Sequence, residues 1–481
     1  MTRHGQLYLR DQVPPRSIHY DRGKFGRLFP LLAPFAKDTV EVRNRLLDLG
    51  RRGGIMDAGD VPPPQDPLAL NPNNPDNPTM TAGFTFLGQF LDHDLTFDPT
   101  SSLERQSDPE SVANFRTPAL ELDSVYGSGR SASPHLYDQT SPGANKFLID
   151  EEAPKDVPRN SQRTAITGDP RNDENLIVSQ LHLAFLKFHN AVIDYVRDEG
   201  IVDPNEAFDE AQRLVRWHYQ WIIVHEFLPK TVGQALVDDI LTKGRRFYNW
   251  RNAPFIPVEF SVAAYRFGHS QVRPGYIANF AGDNGNQFTK HIFDSSIPDS
   301  DPDPDDLRGG KRAARRFIDW PTFFDFKDGK KKPNKLIDTK LSSPLFALTS
   351  PAINMLETPR SLAQRNLLRH LTFELPPGQW VADAMQETRL SPSDLADLQP
   401  FGFDQKTPLW VYILREAEKR RDGKMLGPVG GRIVAEVFIG VLQGDRMSYL
   451  RQDPDWTPIF GTGNTFEMTN LLKCAGVAPQ S

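Results

Sequence analysis

The stretch Gly88-Gln89-Phe90-Leu91-Asp92-His93-Asp94 holds the densest chemistry in the chain. Gln89, Asp92 and His93 stand at i, i+3 and i+4. On a helix the amide of Gln89 and the imidazole of His93 then lie about 40° apart on one face, and Asp92 and Asp94 flank His93 at about 100° to either side. One helix would present an acid–base group and an amide to a single cavity, and send its two carboxylates elsewhere. The company is apolar: Phe84, Phe86, Leu87, Phe90, Leu91, Leu95 and Phe97. Ionisable groups in such a segment imply partners or a metal, because unpaired buried charge is costly.

Three further constellations carry chemistry. In Thr117-Pro118-Ala119-Leu120-Glu121-Leu122-Asp123, the side-chain oxygens of Thr117, Glu121 and Asp123 are separated by even steps. An extended loop would turn them to one side. With Asp94 they make three carboxylates and a hydroxyl, the oxygen set a hard cation such as calcium takes, although the spacing is not an EF-hand. A solvated strand face has the same pattern. Next, Gly168-Asp169-Pro170-Arg171-Asn172-Asp173-Glu174-Asn175 leads into a long apolar helical pattern, with Arg171 and Glu174 at its N-terminal end. His269 follows Gly268, which lets a flat group approach the backbone. The pairs His182/His189 and His218/His225 are each seven residues apart. Two helical turns, about 10 Å, are too far for one ion, and His225-Glu226 lacks the second histidine of a zincin motif. These four are read as packed or hydrogen-bonded core histidines.

The elements that must position these groups are helices. Helical patterns cover 26–35, 40–49, 206–227, 359–372 and 430–442, and Thr79 and Thr81 stand where they could cap the helix carrying His93. No alternation lasts long enough for a large sheet, so the fold reads as mainly α with long loops and little β. Residues 1–80, rich in proline and asparagine near 61–78, read as an irregular wrapping segment. Residues 294–332 read as an exposed polar loop of both charge signs. Length alone, 481 residues, suggests two or three domains. A net charge of −6 gives no sign of nucleic-acid binding. The single cysteine, Cys474, excludes internal disulfides and cysteine-based metal clusters. No apolar h-region follows Met1 and no run of 18 apolar residues occurs, so a cytoplasmic protein without a membrane span is expected, with secretion by a route lacking an N-terminal signal left open.

Taken together, Gln89-x-x-Asp92-His93-Asp94, Thr117–Ser128, Gly168-Asp169-x-Arg171-x-x-Glu174, Arg266-x-Gly268-His269 and Asn366-x-x-Arg369 resemble the motifs of the animal-type haem peroxidases, within the peroxidase–cyclooxygenase superfamily, in its bacterial branch. The five blocks fall in the family order and span about 80–450. The resemblance implies a single large helical haem-peroxidase domain over 81–450, with 451–481 as a tail packed on it. It implies haem b and Ca2+ as cofactors, hydrogen peroxide as substrate, and a small anionic or phenolic donor: iodide, thiocyanate, bromide or a phenol.

By resemblance, His269 is the haem iron ligand, with Asn366 accepting from its other ring nitrogen. His93 is the distal base, Arg171 the distal cation, and Gln89 the amide that orients water or a halide. Arg266 and Arg369 lie near the haem propionates, and Asp92 and Glu174 are candidates for ester links to haem. Asp94, Thr117, Ala119 (through its carbonyl), Glu121 and Asp123 match the calcium site. Asn175 replaces the methionine of the family's strongest chloride oxidiser, so no sulfonium link is expected, and Glu121 and Asp123 differ from the usual calcium ligands. Two rival functions remain: a haem-dependent fatty-acid dioxygenase, whose tyrosine stands three residues before the iron ligand where this chain has Arg266, and a non-enzymatic calcium-stabilised interaction protein on the same scaffold.

Overall fold

Helices and a few short strand pairs build the described residues. The computed structural model describes residues 25–63, 65–96, 114, 116–140, 145–150, 155–250, 253–310, 314–353 and 357–479. Phe97 and the Lys311-Arg312 pair of the 294–332 loop lie outside them. The helices that matter here are α1 (Val40–Leu49), α2 (Gly83–Leu95), α3 (Leu176–Asp198), α4 (Pro204–Ile222), α5 (Leu362–Thr372), α6 (Leu409–Arg421) and α7 (Pro428–Gly444). Strands come only in pairs among the described residues: β1 (Phe25–Gly26) parallel to β3 (Ile256–Pro257), β2 (Asp76–Thr81) antiparallel to β6 (Pro333–Lys335), and the hairpin β4 (Gly275–Asp283) with β5 (Asn286–His291). The architecture is mainly α, as the sequence pattern implies.

Local signals explain the helix starts. Thr39, Asn175, Asp203 and Ser361 cap α1, α3, α4 and α5, each side-chain oxygen accepting from a backbone N–H of the first turn. α2 is the exception. Thr79 and Thr81 lie in β2 and cap nothing. Ala82 precedes α2 without a side-chain cap, and the N–H groups of Ala82 and Gly83 donate instead to the carbonyls of Lys332 and Phe323. Gly83 is required there, since a Cβ would sit 2.7 Å from the Phe323 carbonyl oxygen and closer still to the Phe324 ring.

Other expectations needed revision. Residues 26–35 are not helical: Pro30 and Pro34 interrupt the pattern, and the N–H groups of Leu28 and Phe29 donate to the buried carboxylate of Glu259 (2.9 and 3.1 Å). The loop at 117–128 is not extended throughout. Leu122 takes a left-handed conformation (φ 61°) and Asp123–Tyr126 makes one helical turn, which breaks the even-step alternation. The 294–332 segment is not wholly exposed either. Arg308 and Asp306 are buried and paired (2.9 Å), with Asp299 on the same guanidinium (2.8 Å).

The core is continuous through the helices. α3 packs on α2 and α4, with Phe90 stacked on Phe185 (4.7 Å between ring centres) and Tyr219 edge-on to both. α3 is long and apolar enough to cross a membrane by length and composition, but it is the buried centre of this core. His189 bonds Tyr126 and Asn145, and His218 bonds Leu214 and Ile459. Both are satisfied core histidines. His225 is exposed and stacks on Trp221.

Candidate active site

α2 delivers what its helical wheel implies. His93 and Gln89 line a cavity of about 380 Å³. Asp92 turns to Arg266 (3.5 Å). Asp94 points the other way, where its Oδ2 accepts from the Leu122 N–H (3.0 Å) and the Tyr219 hydroxyl (3.2 Å). The opposite wall comes from a distorted helix. A π-helical turn at Glu259–Ala263 passes into a 3-10 turn at Ala264–His269, which ends on His269. Such irregular turns mark functional sites often. This turn packs on α2, α6 and α7, and Trp410 of α6 donates from its indole to the Arg266 carbonyl (3.1 Å). Arg171, Glu174, Arg266, His269, Asn366 and Arg369 line the same cavity as Gln89, Asp92 and His93. The sequence-predicted residues outside the calcium set thus share one space.

The segment before α3 anchors the polar side of that space. Asp169 is fully buried and accepts from the Arg171 N–H (2.9 Å), its Nε (3.1 Å) and its Nη2 (2.8 Å); Arg116 pairs with the same carboxylate. Burial alone would raise the Asp169 pKa, but the Arg171 charge and hydrogen bonds hold it well below the usual carboxylate range. Arg171 also donates to the His93 carbonyl (3.0 Å), which ties the guanidinium to the last turn of α2. Asn175 caps α3 with its oxygen and donates from Nδ2 to Gln89 Oε1 (3.0 Å), while Gln89 Nε2 donates to Glu174 (3.1 Å). The Gln89 amide is therefore held at both ends.

Protonation follows from the surroundings. Burial, helped by the Arg171 charge, lowers the His93 pKa to about 4, so the ring is neutral near pH 7 and open to a proton. Burial pushes Glu174 up to about 7, against the Arg171 charge. Its carboxylate is a quarter exposed, toward the cavity, 4.0 Å from His93 Nε2. Burial, then the Arg266 charge, lowers His269 to about 3, the neutral form a metal ligand needs.

These residues fit a haem group. The cavity runs from His93 to His269, a Cβ added at Gly268 would meet nothing within 4 Å, and both Arg266 and Arg369 face the space as counter-charges for carboxylates. One expected contact is reversed. The Asn366 carboxamide nitrogen, not its oxygen, lies 2.7 Å from His269 Nδ1, so Asn366 donates where acceptance was expected, and the ring proton falls on Nε2. Turning the amide end for end puts its oxygen against a protonated Nδ1 at the same distance and leaves Nε2 bare, the arrangement an iron ligand requires.

The calcium set is less assembled. Thr117 is exposed. The Glu121 carbonyl accepts from Arg216 (3.0 Å) and the Leu120 carbonyl from Gln220 (2.9 Å). Ala119 and Asp123 lie in the same loop beside α2. Among the described residues no group of three or more histidine, cysteine, aspartate or glutamate side chains converges as a metal site. Sequence reasoning also missed Asp169, Asn172, Asn175 and Arg116 as site residues. Asp169 and Asn175 had a readable signal: Asp169 stands at the N-cap of the turn that carries Arg171, and Asn175 at the N-cap of α3.

Comparison with known proteins agrees with this geometry. A family model described as animal haem peroxidase matches residues 101–302. Similar curated proteins include a peroxidase-like protein of Margaritifera margaritifera (24% identical, 64% of this chain and 40% of that protein) and the peroxidasin homologue pxn-2 of Caenorhabditis elegans (25% identical, 71% and 27%). The chain spans less than half the length of these relatives. In fold it is similar to peroxidase A of Dictyostelium discoideum (TM-score 0.61, 16% identical, 95% of this chain and 94% of that one). It is equally similar to a fatty acid alpha-dioxygenase of Oryza sativa (TM-score 0.61, 14% identical, 99% and 88%).

Proposed function

We propose that the chain is a haem peroxidase of the animal type, which its match to that family model over residues 101–302 supports, and that it reduces hydrogen peroxide and oxidises small donors, namely iodide, thiocyanate, bromide or phenols. The observation that carries this reading is the convergence of a neutral His93, a charged Arg171 and a neutral His269 on one cavity. His269 would hold haem iron, Asn366 would fix its ring, and Arg266 and Arg369 would meet the propionates. Bound haem supplies the redox chemistry, taking two electrons' worth of oxidation from peroxide and returning it to donors.

The chain's own residues handle the proton. His93 Nε2 removes a proton from hydrogen peroxide and returns it to the departing oxygen, acting as base and then acid. Arg171, fixed by Asp169, places a positive charge beside the negative charge that develops as the O–O bond breaks. Gln89, held by Asn175 and Glu174, keeps an N–H donor at the cavity wall to orient water or a small anion.

The dioxygenase alternative rests on the shared fold. Arg266 stands three residues before His269, and Tyr265 uses its hydroxyl to donate to the Gly88 carbonyl (3.0 Å). We expect peroxide-dependent oxidation of iodide or guaiacol; turnover of linoleate with oxygen in place of these would reverse the assignment.

Two finer features belong to the proposal. Asp92 and Glu174 line the cavity where ester links to haem would form, and the proximity of Asp94 to the 117–123 loop supports a bound calcium there. Composition tests both: haem should resist acid–acetone extraction after peroxide treatment, and elemental analysis should find calcium in the purified protein. Complete haem release together with absent calcium would remove both features and leave the peroxidase reading standing.

A further inference from the structure

Behind the distal histidine lies a buried chain of three side chains that neither the family resemblance nor the proposed mechanism assigns. His93 Nδ1 is 2.8 Å from the Asn172 oxygen, and the Asn172 nitrogen is 3.0 Å from His182 Nδ1. All three residues are buried: His93 is 4% exposed, Asn172 0% and His182 1%. They come from different elements. His93 ends α2, Asn172 sits in the 3-10 turn Pro170–Asp173, and His182 lies two turns into α3. Backbone bonds hold the turn itself, with the Asn172 N–H donating to the Asp169 carbonyl (3.1 Å).

We propose that Asn172, oriented by His182, is a positioning residue that holds His93 in the tautomer whose Nε2 is bare toward the cavity. An amide oxygen can only accept, so its place against His93 Nδ1 requires the ring proton there. The hydrogen bond at one ring nitrogen sets what the other can do. Nε2, the atom 4.0 Å from Glu174, then carries the lone pair a proton acceptor needs. Asn172 has two ends and could turn over. His182 selects between the two ends through its own proton: with Nδ1 bare the ring takes the amide nitrogen, as it stands in the structure, and its proton lies on Nε2, which is buried with no hydrogen-bond partner among the described residues. Turned over, Asn172 would donate to His93 Nδ1, move the proton to Nε2, and leave no base facing the cavity.

This inference rests on His93 being the distal base, but its test reads a tautomer and not turnover, so the two fail separately. The experiment is nitrogen NMR on the full-length, histidine-labelled chain, with any haem exchanged for its diamagnetic zinc analogue and the His93 signals identified by their loss in His93→Gln. The wild type should show a protonated Nδ1 and a bare Nε2. Asn172→Asp, which can accept but not donate when ionised, should preserve that pattern. Asn172→Leu, similar in size and without a polar end, should shift the proton wholly or partly to Nε2, and His182→Phe should produce a mixture by unlocking the amide. A wild-type His93 protonated at Nε2 overturns the proposal. So does an unchanged His93 in whichever of Asn172→Leu and His182→Phe folds with the wild-type circular dichroism spectrum.

Discussion

His93→Ala should bind haem as the wild type does and cleave peroxide about 10²–10⁴-fold more slowly, the range a positioned acid–base group supplies. The reasoning is local. His93 lies at the end of α2, lines the cavity, and has its pKa lowered to about 4 by burial and the Arg171 charge. Among the described residues no other imidazole stands on that side: His269 is on the opposite wall, and His182 lies behind Asn172. Alanine removes the proton carrier but leaves the haem-binding groups, so the absorption spectrum should persist while the stopped-flow reaction with peroxide slows. A variant as fast as the wild type would assign the base elsewhere, with Glu174 the next group to test.

The second large effect is on stability. Asp169→Asn should lower folding stability by about 3–5 kcal/mol, because it breaks a buried charge pair by removing one side. Asp169 is fully buried and serves both Arg171 and Arg116. The sign with pH follows from its depressed folded pKa. The stabilisation is present above the ordinary aspartate value of 3.8 and is lost as pH falls below it toward the folded value. The wild type should therefore approach the variant in stability as the solution is acidified through that window. Urea unfolding across pH checks both statements; equal midpoints at pH 7 would show that Asp169 anchors nothing. Any activity left in the variant reports on Arg171 alone, since the peptide groups of His93 and Thr96 still accept from it.

How much of this was legible in the sequence depends on the kind of signal. The i, i+3, i+4 spacing in 89–93 gave the cavity face of α2 and the divergence of its two carboxylates, because helical geometry leaves them no other directions. α1 runs over Val40–Leu49, where the sequence pattern puts it, since Thr39 caps it and Val42, Leu46 and Leu49 form its apolar stripe. What did not show was whatever depends on partners distant in the chain. Nothing near Thr79 or Thr81 says that the carbonyls of Lys332 and Phe323 satisfy the start of α2. The run at 117–123 reads as one oxygen-lined side only if Leu122 is extended, and it is left-handed. Asn172 looks like an ordinary polar turn residue until His93 and His182 close on it from two helices. The direction of the Asn366 bond is a matter of which end of an amide faces a ring, which no spacing encodes.

The resemblance and the geometry meet most directly at His269. Titrating the full-length protein with haem and recording its absorption spectrum tests that meeting. A Soret band should grow to saturation at equimolar haem, and His269→Ala should abolish the saturable band while His93→Ala retains it. A wild type that develops no saturable Soret band, or one that His269→Ala leaves untouched, would contradict the account of this cavity as a haem site.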